Sequence, residues 1–284
     1  MNSPRAAFTE LLVGRQRATD SLLCVGLDPD PARFAPALHA RSRAIEEFCC
    51  AIVDATAPYV CAFKPQIAYF AAQRAEEQLE AVLAHLRARH PDMPVILDAK
   101  RGDIGSTAEQ YAREAFERYD ADAVTLSPFM GHDTIEPFTA YAGRGAFVLC
   151  RTSNPGGNDL QMLDVGGERL FERIARLAAG AWNRNGQLGL VVGATYPQEL
   201  ARVRALAPQL ALLVPGIGAQ GGDVAATLQA AGQAAPLVIN SSRAILYAGA
   251  DEDYAAAAGN AARLTRDQIN AHRRPGRLPP APRP

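Results

Sequence analysis

Asp98, Lys100 and Asp103 fall in one short stretch, Asp98-Ala99-Lys100-Arg101-Gly102-Asp103, directly after the apolar run Val95-Ile96-Leu97. Alternating acid and base thus stand where a buried strand gives way to a loop. An ionised side chain taken out of water costs on the order of several kcal/mol unless a partner is beside it, and neighbours of opposite sign supply that partner. A second ammonium, Lys64, closes the apolar segment Val60-Cys61-Ala62-Phe63. A carboxylate between two lysines works against the loss of charge that burial would cause, so a lysine here remains a proton donor at neutral pH.

Two other readings of the cluster exist. A buried ion-pair network could serve the fold alone, although a place at a strand end favours chemistry. Two aspartates with a further acid or histidine could ligate Mg²⁺. Lys64 and Lys100 argue against a metal, because they already bring the positive charge a cation would supply, and none of the 5 histidines stands beside the cluster at a strand end.

A second constellation suits an anion. The segment Pro215-Gly216-Ile217-Gly218-Ala219-Gln220-Gly221-Gly222 is followed by Asn240-Ser241-Ser242-Arg243. Glycines let backbone N–H groups approach a phosphate, and arginine offers a forked cation. Tight turns alone would also explain the glycines, but the arginine at the next strand end favours phosphate. Polar residues close other apolar runs too, with Asp28 after Gly26-Leu27 and Arg151-Thr152-Ser153-Asn154-Pro155-Gly156-Gly157 after a fifth run. Thr125, Ser127 and His132 could touch a ligand, but Ser127-Pro128 reads better as a turn.

The elements that must hold these groups alternate. Strands are expected near 22–27, 60–64, 94–98, 122–126, 145–150, 188–194, 211–215 and 236–240. Helices are expected near 42–57, 67–89, 105–119, 133–142, 166–186, 196–206, 222–232 and 253–270. Strands apolar on both faces and joined by helices make a parallel sheet, and right-handed crossovers repeated around it close an α/β (β/α)8 TIM barrel. An open doubly wound sheet ranks lower, because no G-x-G-x-x-G follows the first strand. In a barrel the functional groups gather at the C-terminal rim, where every residue singled out above falls.

Composition sets the outer bounds. A chain of 284 residues with 48% hydrophobic residues can fill one barrel core, read here as a single domain over 1–272 with a Pro/Arg-rich, disordered tail over 273–284. A formal charge of -1 gives no reason to expect nucleic acid or an anionic membrane as partner. The 5 cysteines show no C-x-x-C spacing and read as small buried hydrophobes in a reducing compartment. No secretory signal or run of about 20 apolar residues is present, so a soluble cytoplasmic protein is expected.

Taken in order, these motifs resemble the orotidine 5'-phosphate decarboxylase family, in its longer bacterial branch. The D-x-K-x-x-D pattern matches Asp98 to Asp103 and continues with Ile104. Gly26-Leu27-Asp28, Phe63-Lys64-Pro65, Thr152-Ser153-Asn154-Pro155-Gly156, the Pro215 to Gly222 run and Ser242-Arg243-Ala244-Ile245 match as well. The resemblance implies cofactor-free and metal-free decarboxylation of orotidine monophosphate by a homodimer with shared sites. Asp28 and Lys64 would hold the ribose, Asp98 would face the departing carboxylate, and Lys100 would protonate C6. Asp103 and Ile104 would come from the partner subunit, Ser153 would meet the pyrimidine, and Gln220 and Arg243, with Pro215, Gly218 and Gly222 in the glycine-rich run, would hold the phosphate. A sister branch acting on keto-sugar phosphates shares D-x-K-x-x-D but uses Mg²⁺, with an acidic ligand where this chain has Lys64. A catalytically silent phosphate-binding barrel would need a broken charge array, and none of its four residues is replaced.

Overall fold

The computed structural model describes residues 5–216 and 223–273. Its strands are β1 (Leu23–Leu27), β2 (Ala62–Pro65), β3 (Ile96–Arg101), β4 (Ala123–Leu126), β5 (Gly145–Arg151), β6 (Leu188–Val192), β7 (Ala211–Pro215) and β8 (Leu237–Ser241). They form one eight-stranded sheet in the order β2-β1-β8-β7-β6-β5-β4-β3, with every ladder parallel. The ring is almost shut. Among the described residues β2 and β3 meet through the single bridges Phe63–Val95 and Gln66–Asp98, with Phe63 N donating to Pro94 O at 3.0 Å. The (β/α)8 barrel expected from the alternating pattern is therefore the fold.

The first helices are α1 (Phe8–Thr19), α2 (Ala44–Thr56), α3 (Ile67–Ala71), α4 (Glu76–Arg89) and α5 (Gly105–Arg113). Next come α6 (Glu136–Thr139), α7 (Asn158–Gln161), α8 (Leu170–Ala179) and α9 (Pro197–Leu206). The last are α10 (Val224–Ala231), α11 (Arg243–Leu246) and α12 (Tyr254–Ala271).

Each strand begins within two residues of its expected start, whereas several helices differ. The helix expected over 67–89 is broken, because Arg74 takes φ 53° and Ala75 N turns back to Phe70 O at 2.9 Å. That break lets α3 bury Ile67 and Phe70 while α4 turns a separate face of Leu79, Val82, Leu83 and Leu86 to the core. The helix expected over 166–186 shortens to α8, since Gly166 and Gly167 both have positive φ and serve a turn closed by the Asp164–Arg169 bridge. The segment 133–142 holds only a short 3-10 turn and α6.

Apolar side chains fill two layers. Inside the barrel, Cys24, Cys61, Ile96, Phe147, Leu213 and Val238 pack from alternate strand positions, and the next residues along each strand face the helices. Helix α1 closes the lower end of this inner layer, with Phe8 edge-on to Phe147 at 5.6 Å between ring centroids. Gly145 admits that plug, because a Cβ there would lie 2.4 Å from the Phe8 ring. The thiols of Cys24 and Cys61 are pushed up by burial, so both act as neutral packing groups. Among the described residues no helix is long and apolar enough to cross a membrane.

Candidate active site

The charge cluster sits on an irregularity in β3. Leu97 pairs with Val124 of β4 but Arg101 pairs with Leu126, so four steps along β3 are opposed by two along β4. The surplus makes a bulge over Asp98, Ala99 and Lys100, with Lys100 at φ 46°. Across the gap Lys64 Nζ donates to Asp98 Oδ2 at 2.6 Å, and Lys100 Nζ donates to Asp98 Oδ1 at 2.6 Å. Thr125 of β4 adds a third hydrogen bond, its hydroxyl donating to Asp98 Oδ1 at 2.9 Å. One carboxylate thus bridges two ammoniums, with each oxygen on its own lysine.

Asp28, Lys64 and Asp98 line one cavity at the C-terminal rim together with Pro215, Gly216 and Arg243. Asp28 Oδ1 and Asn240 Oδ1 are buried there without a hydrogen-bond partner among the described residues. Two unmatched acceptors beside an ammonium call for a ligand rich in hydroxyl donors. Arg243 stands exposed at the start of α11, and no carboxylate pairs with it among the described residues. It therefore remains open to an anion. Gly26 makes this crowding feasible, because a Cβ on β1 would lie 2.0 Å from Ser242 Oγ. Gly218, Gln220 and Gly222 lie outside the described residues.

Supporting groups around the cavity escape a reading of motifs. Tyr247 spans the loop after β1, its hydroxyl accepting from Asp30 N at 2.7 Å and donating to the Asp28 carbonyl at 2.9 Å. Arg151 is buried at the end of β5, stacked 4.1 Å over the Tyr196 ring and donating to Asn158 Oδ1 at 2.7 Å. This cation ties down the loop that carries Ser153. Gly193 leaves room for that loop, since a Cβ there would meet the Ser153 backbone nitrogen at 2.8 Å. Arg151 and Gly193 stand next to strand ends, a signal too common to assign these roles by sequence, and Tyr247, beyond α11, carries none.

Asp103 and Ile104 point elsewhere. The Asp103 carboxylate accepts from the Ile104 backbone N–H at 2.8 Å, and neither residue lines the cavity that holds Lys64 and Asp98. Ile104 is 46% exposed and borders a separate groove with Arg113, Pro137 and Tyr141. Phe129, in the loop after β4, is 80% exposed. Among the described residues no three His, Cys, Asp or Glu side chains converge as a metal site.

The electrostatics favour a fully ionised array. Burial opposes the charge on Asp98, but Lys64 and Lys100 outweigh it and hold the carboxyl well below the usual carboxylate range. Burial likewise opposes the Lys64 ammonium, while Asp98 and Asp28 more than compensate and raise it above the ordinary lysine value. The sign for stability follows. Because the Asp98 value is depressed by folding, its contribution is complete above about pH 4, the unfolded aspartate value, and fades as pH falls toward the folded value. Lys64 works in the opposite sense, losing its contribution only as pH rises through a value above that of free lysine. We expect Asp98→Asn to be less stable than the parent at pH 7, and the gap to narrow only below about pH 4. Urea unfolding of both proteins from pH 7 to pH 3 measures it, and a gap independent of pH across that acid range would contradict this account.

Comparison with known proteins converges on one family. The profile described as "Orotidine 5'-phosphate decarboxylase / HUMPS family" matches residues 21–258. A protein named orotidine 5'-phosphate decarboxylase from Azoarcus sp. (strain BH72) is 68% identical over 268 residues, covering 94% of this chain and 99% of that protein. One of the same name from Paracidovorax citrulli is 67% identical over 271 residues, with 94% and 99% covered. Among solved structures, the OMP decarboxylase of Leishmania donovani superposes with a TM-score of 0.81 at 42% identity, covering 94% of this chain and 98% of that one. With eight parallel strands in a barrel and this degree of identity along nearly its whole length, the chain belongs to the orotidine 5'-phosphate decarboxylase / HUMPS family.

Proposed function

We propose that the protein is a carboxy-lyase that converts orotidine monophosphate to uridine monophosphate and carbon dioxide, within de novo pyrimidine biosynthesis. The observation that carries this reading is the Lys64–Asp98–Lys100 array, two ammoniums on one carboxylate at 2.6 Å each, of which Lys64 and Asp98 line the same cavity as Asp28 and Arg243 and Lys100 reaches it through its bond to Asp98. Arg243, Pro215 and the glycine-rich run with Gly218, Gln220 and Gly222 take the phosphate. Asp28 and Lys64 take the ribose hydroxyls, which suits the unmatched Asp28 oxygen. Ser153 meets the amide edge of the pyrimidine.

With the ligand so anchored, its C6 carboxylate lies against Asp98. The C6–carboxylate bond breaks, carbon dioxide leaves, and the electron pair stays on C6, which has no adjacent carbonyl to delocalise it. Lys100 stabilises that carbanion electrostatically and then donates its proton to C6, to be reprotonated from solvent. Repulsion from Asp98 is relieved as carbon dioxide departs. Phosphate and ribose contacts far from C6 organise the site, so their binding energy enters the rate as well as the affinity.

The working unit in this proposal is a cytoplasmic homodimer. Asp103 and Ile104, turned away from their own cavity, complete the neighbouring subunit's array and give it an apolar wall. Exposed Phe129 and the groove beside Ile104 offer apolar surface for that contact. No metal or cofactor enters, because Lys64 and Lys100 occupy the place of a cation. Purified protein treated with EDTA is expected to deplete the ultraviolet absorbance of orotidine monophosphate at an undiminished rate. Activity that vanishes with EDTA and returns with Mg²⁺ would instead favour the metal-dependent branch acting on keto-sugar phosphates.

A further inference from the structure

Thr125 lies on β4 with 1% of its surface exposed, facing the place where β3 leaves regular pairing. A hydroxyl has one proton to give and two lone pairs with which to receive. Here all three are used. The Thr125 hydroxyl donates to Asp98 Oδ1 at 2.9 Å and accepts the backbone N–H groups of Ala99 at 3.0 Å and Lys100 at 2.9 Å. Those two N–H groups belong to the bulge that has left the ladder with β4, so one side chain replaces the backbone partners the bulge gave up.

The consequences meet at the proposed reaction centre. Asp98 Oδ1 receives both Thr125 and the Lys100 ammonium, while Oδ2 receives Lys64, so the hydroxyl helps fix the rotation of the carboxylate. The same hydroxyl holds the Lys100 backbone at φ 46°, a left-handed conformation that a residue with a side chain keeps only when its surroundings enforce it. Sequence spacing marks Thr125 only as a possible ligand contact, because the bulge its hydroxyl serves belongs to the neighbouring strand.

We infer that Thr125 is a positioning residue, whose hydroxyl aims the Asp98 carboxylate and the Lys100 ammonium at the carbon that loses carbon dioxide. This rests on the decarboxylase reading above. Thr125 takes no part in holding phosphate or ribose, so its loss falls on the chemical step. Misplacing a proton donor by a fraction of its hydrogen-bond reach is enough to slow a reaction by about 100-fold.

Thr125→Val keeps the branched shape and removes the hydroxyl, whereas Thr125→Ser keeps the hydroxyl and removes a methyl. Steady-state decarboxylation of orotidine monophosphate and calorimetric binding of uridine monophosphate, measured on the parent and both variants, test the inference. Expected are a kcat about 100-fold lower for Thr125→Val, KM and product affinity within about threefold of the parent, and Thr125→Ser within about fivefold of parental kcat. A kcat for Thr125→Val within fivefold of the parent overturns the inference, as does equal impairment of both variants. Product affinity that falls as far as kcat also overturns it, since the residue would then serve binding or the fold at large. If Thr125→Val does not fold, Thr125→Cys, with its weaker sulfur donor, is expected to lose kcat by at least about tenfold against Thr125→Ser, and parity between them overturns the inference. A parent protein that leaves orotidine monophosphate intact overturns the decarboxylase reading itself and this inference with it.

Discussion

Lys100→Ala is expected to fold, to bind uridine monophosphate, and to decarboxylate orotidine monophosphate on the order of 10⁴-fold more slowly than the parent, or slower still. The Lys100 side chain is 47% exposed, so its removal leaves no sealed void, and Asp98 keeps Lys64 and Thr125 as partners. The fold therefore loses little. The reaction loses both electrostatic support and proton at once, because one ammonium stabilises the charge forming on C6 and then quenches it. What remains facing C6 is the Asp98 carboxylate, whose sign opposes a carbanion. Absorbance at saturating substrate, paired with calorimetric titration of the product nucleotide, separates these effects. Parental turnover by the variant would remove Lys100 from the mechanism, and lost product binding would mean a damaged fold.

The second large effect concerns two variants that are each inactive alone. Lys100→Ala and Asp103→Ala subunits, mixed and allowed to exchange, should recover about a quarter of parental activity. If Asp103 serves the neighbouring site, a mixed dimer has one site lacking both groups and one lacking neither. Random exchange makes half of the dimers mixed, and one site in two works within each. If Asp103 serves its own subunit, every site in every dimer lacks one group and the mixture stays inactive. The geometry within one chain motivates the experiment, since the Asp103 carboxylate is tied to the Ile104 backbone and stands outside the cavity of Lys64 and Asp98. Asp103→Ala should itself bind product more nearly like the parent than it turns over substrate.

The barrel was legible because its evidence is periodic. Runs such as Leu188-Gly189-Leu190-Val191-Val192 are apolar on both faces, as only a sheet covered on one side by helices and filled on the other requires. The strand-end residues Asp28, Lys64, Asp98 and Arg243 were legible for a related reason, since in this fold a polar group after an apolar run is delivered to one rim. The bulge at Asp98 to Lys100 was not, because it is a property of two strands. Regular pleating would also put Asp98 and Lys100 on one side, yet the structure reaches that outcome with a broken register and a left-handed lysine. Tyr247 escaped notice and Thr125 stood out only as a possible ligand contact for the same cause, as their hydroxyls serve backbone groups that no pattern along their own segments reveals. Helix α1 was overlooked although Phe8 and Leu12 lie one turn apart, because three buried apolar residues, Phe8, Leu12 and Val13, in a short polar helix carry little periodic signal.

The narrow seam between β2 and β3 bears on how such a barrel could change over evolutionary time. Among the described residues seven neighbouring strand pairs share backbone ladders, two of them interrupted by a register shift, but this one relies on single bridges together with the Lys64–Asp98 ion pair that crosses it. The last joint of the ring is thus made partly by backbone bridges and partly by side chains proposed to do the chemistry. A lineage that discarded the proposed reaction by replacing Lys64 or Asp98 would also remove the ion pair that crosses this seam. The proposed chemistry and the closure of the barrel here draw on the same two residues.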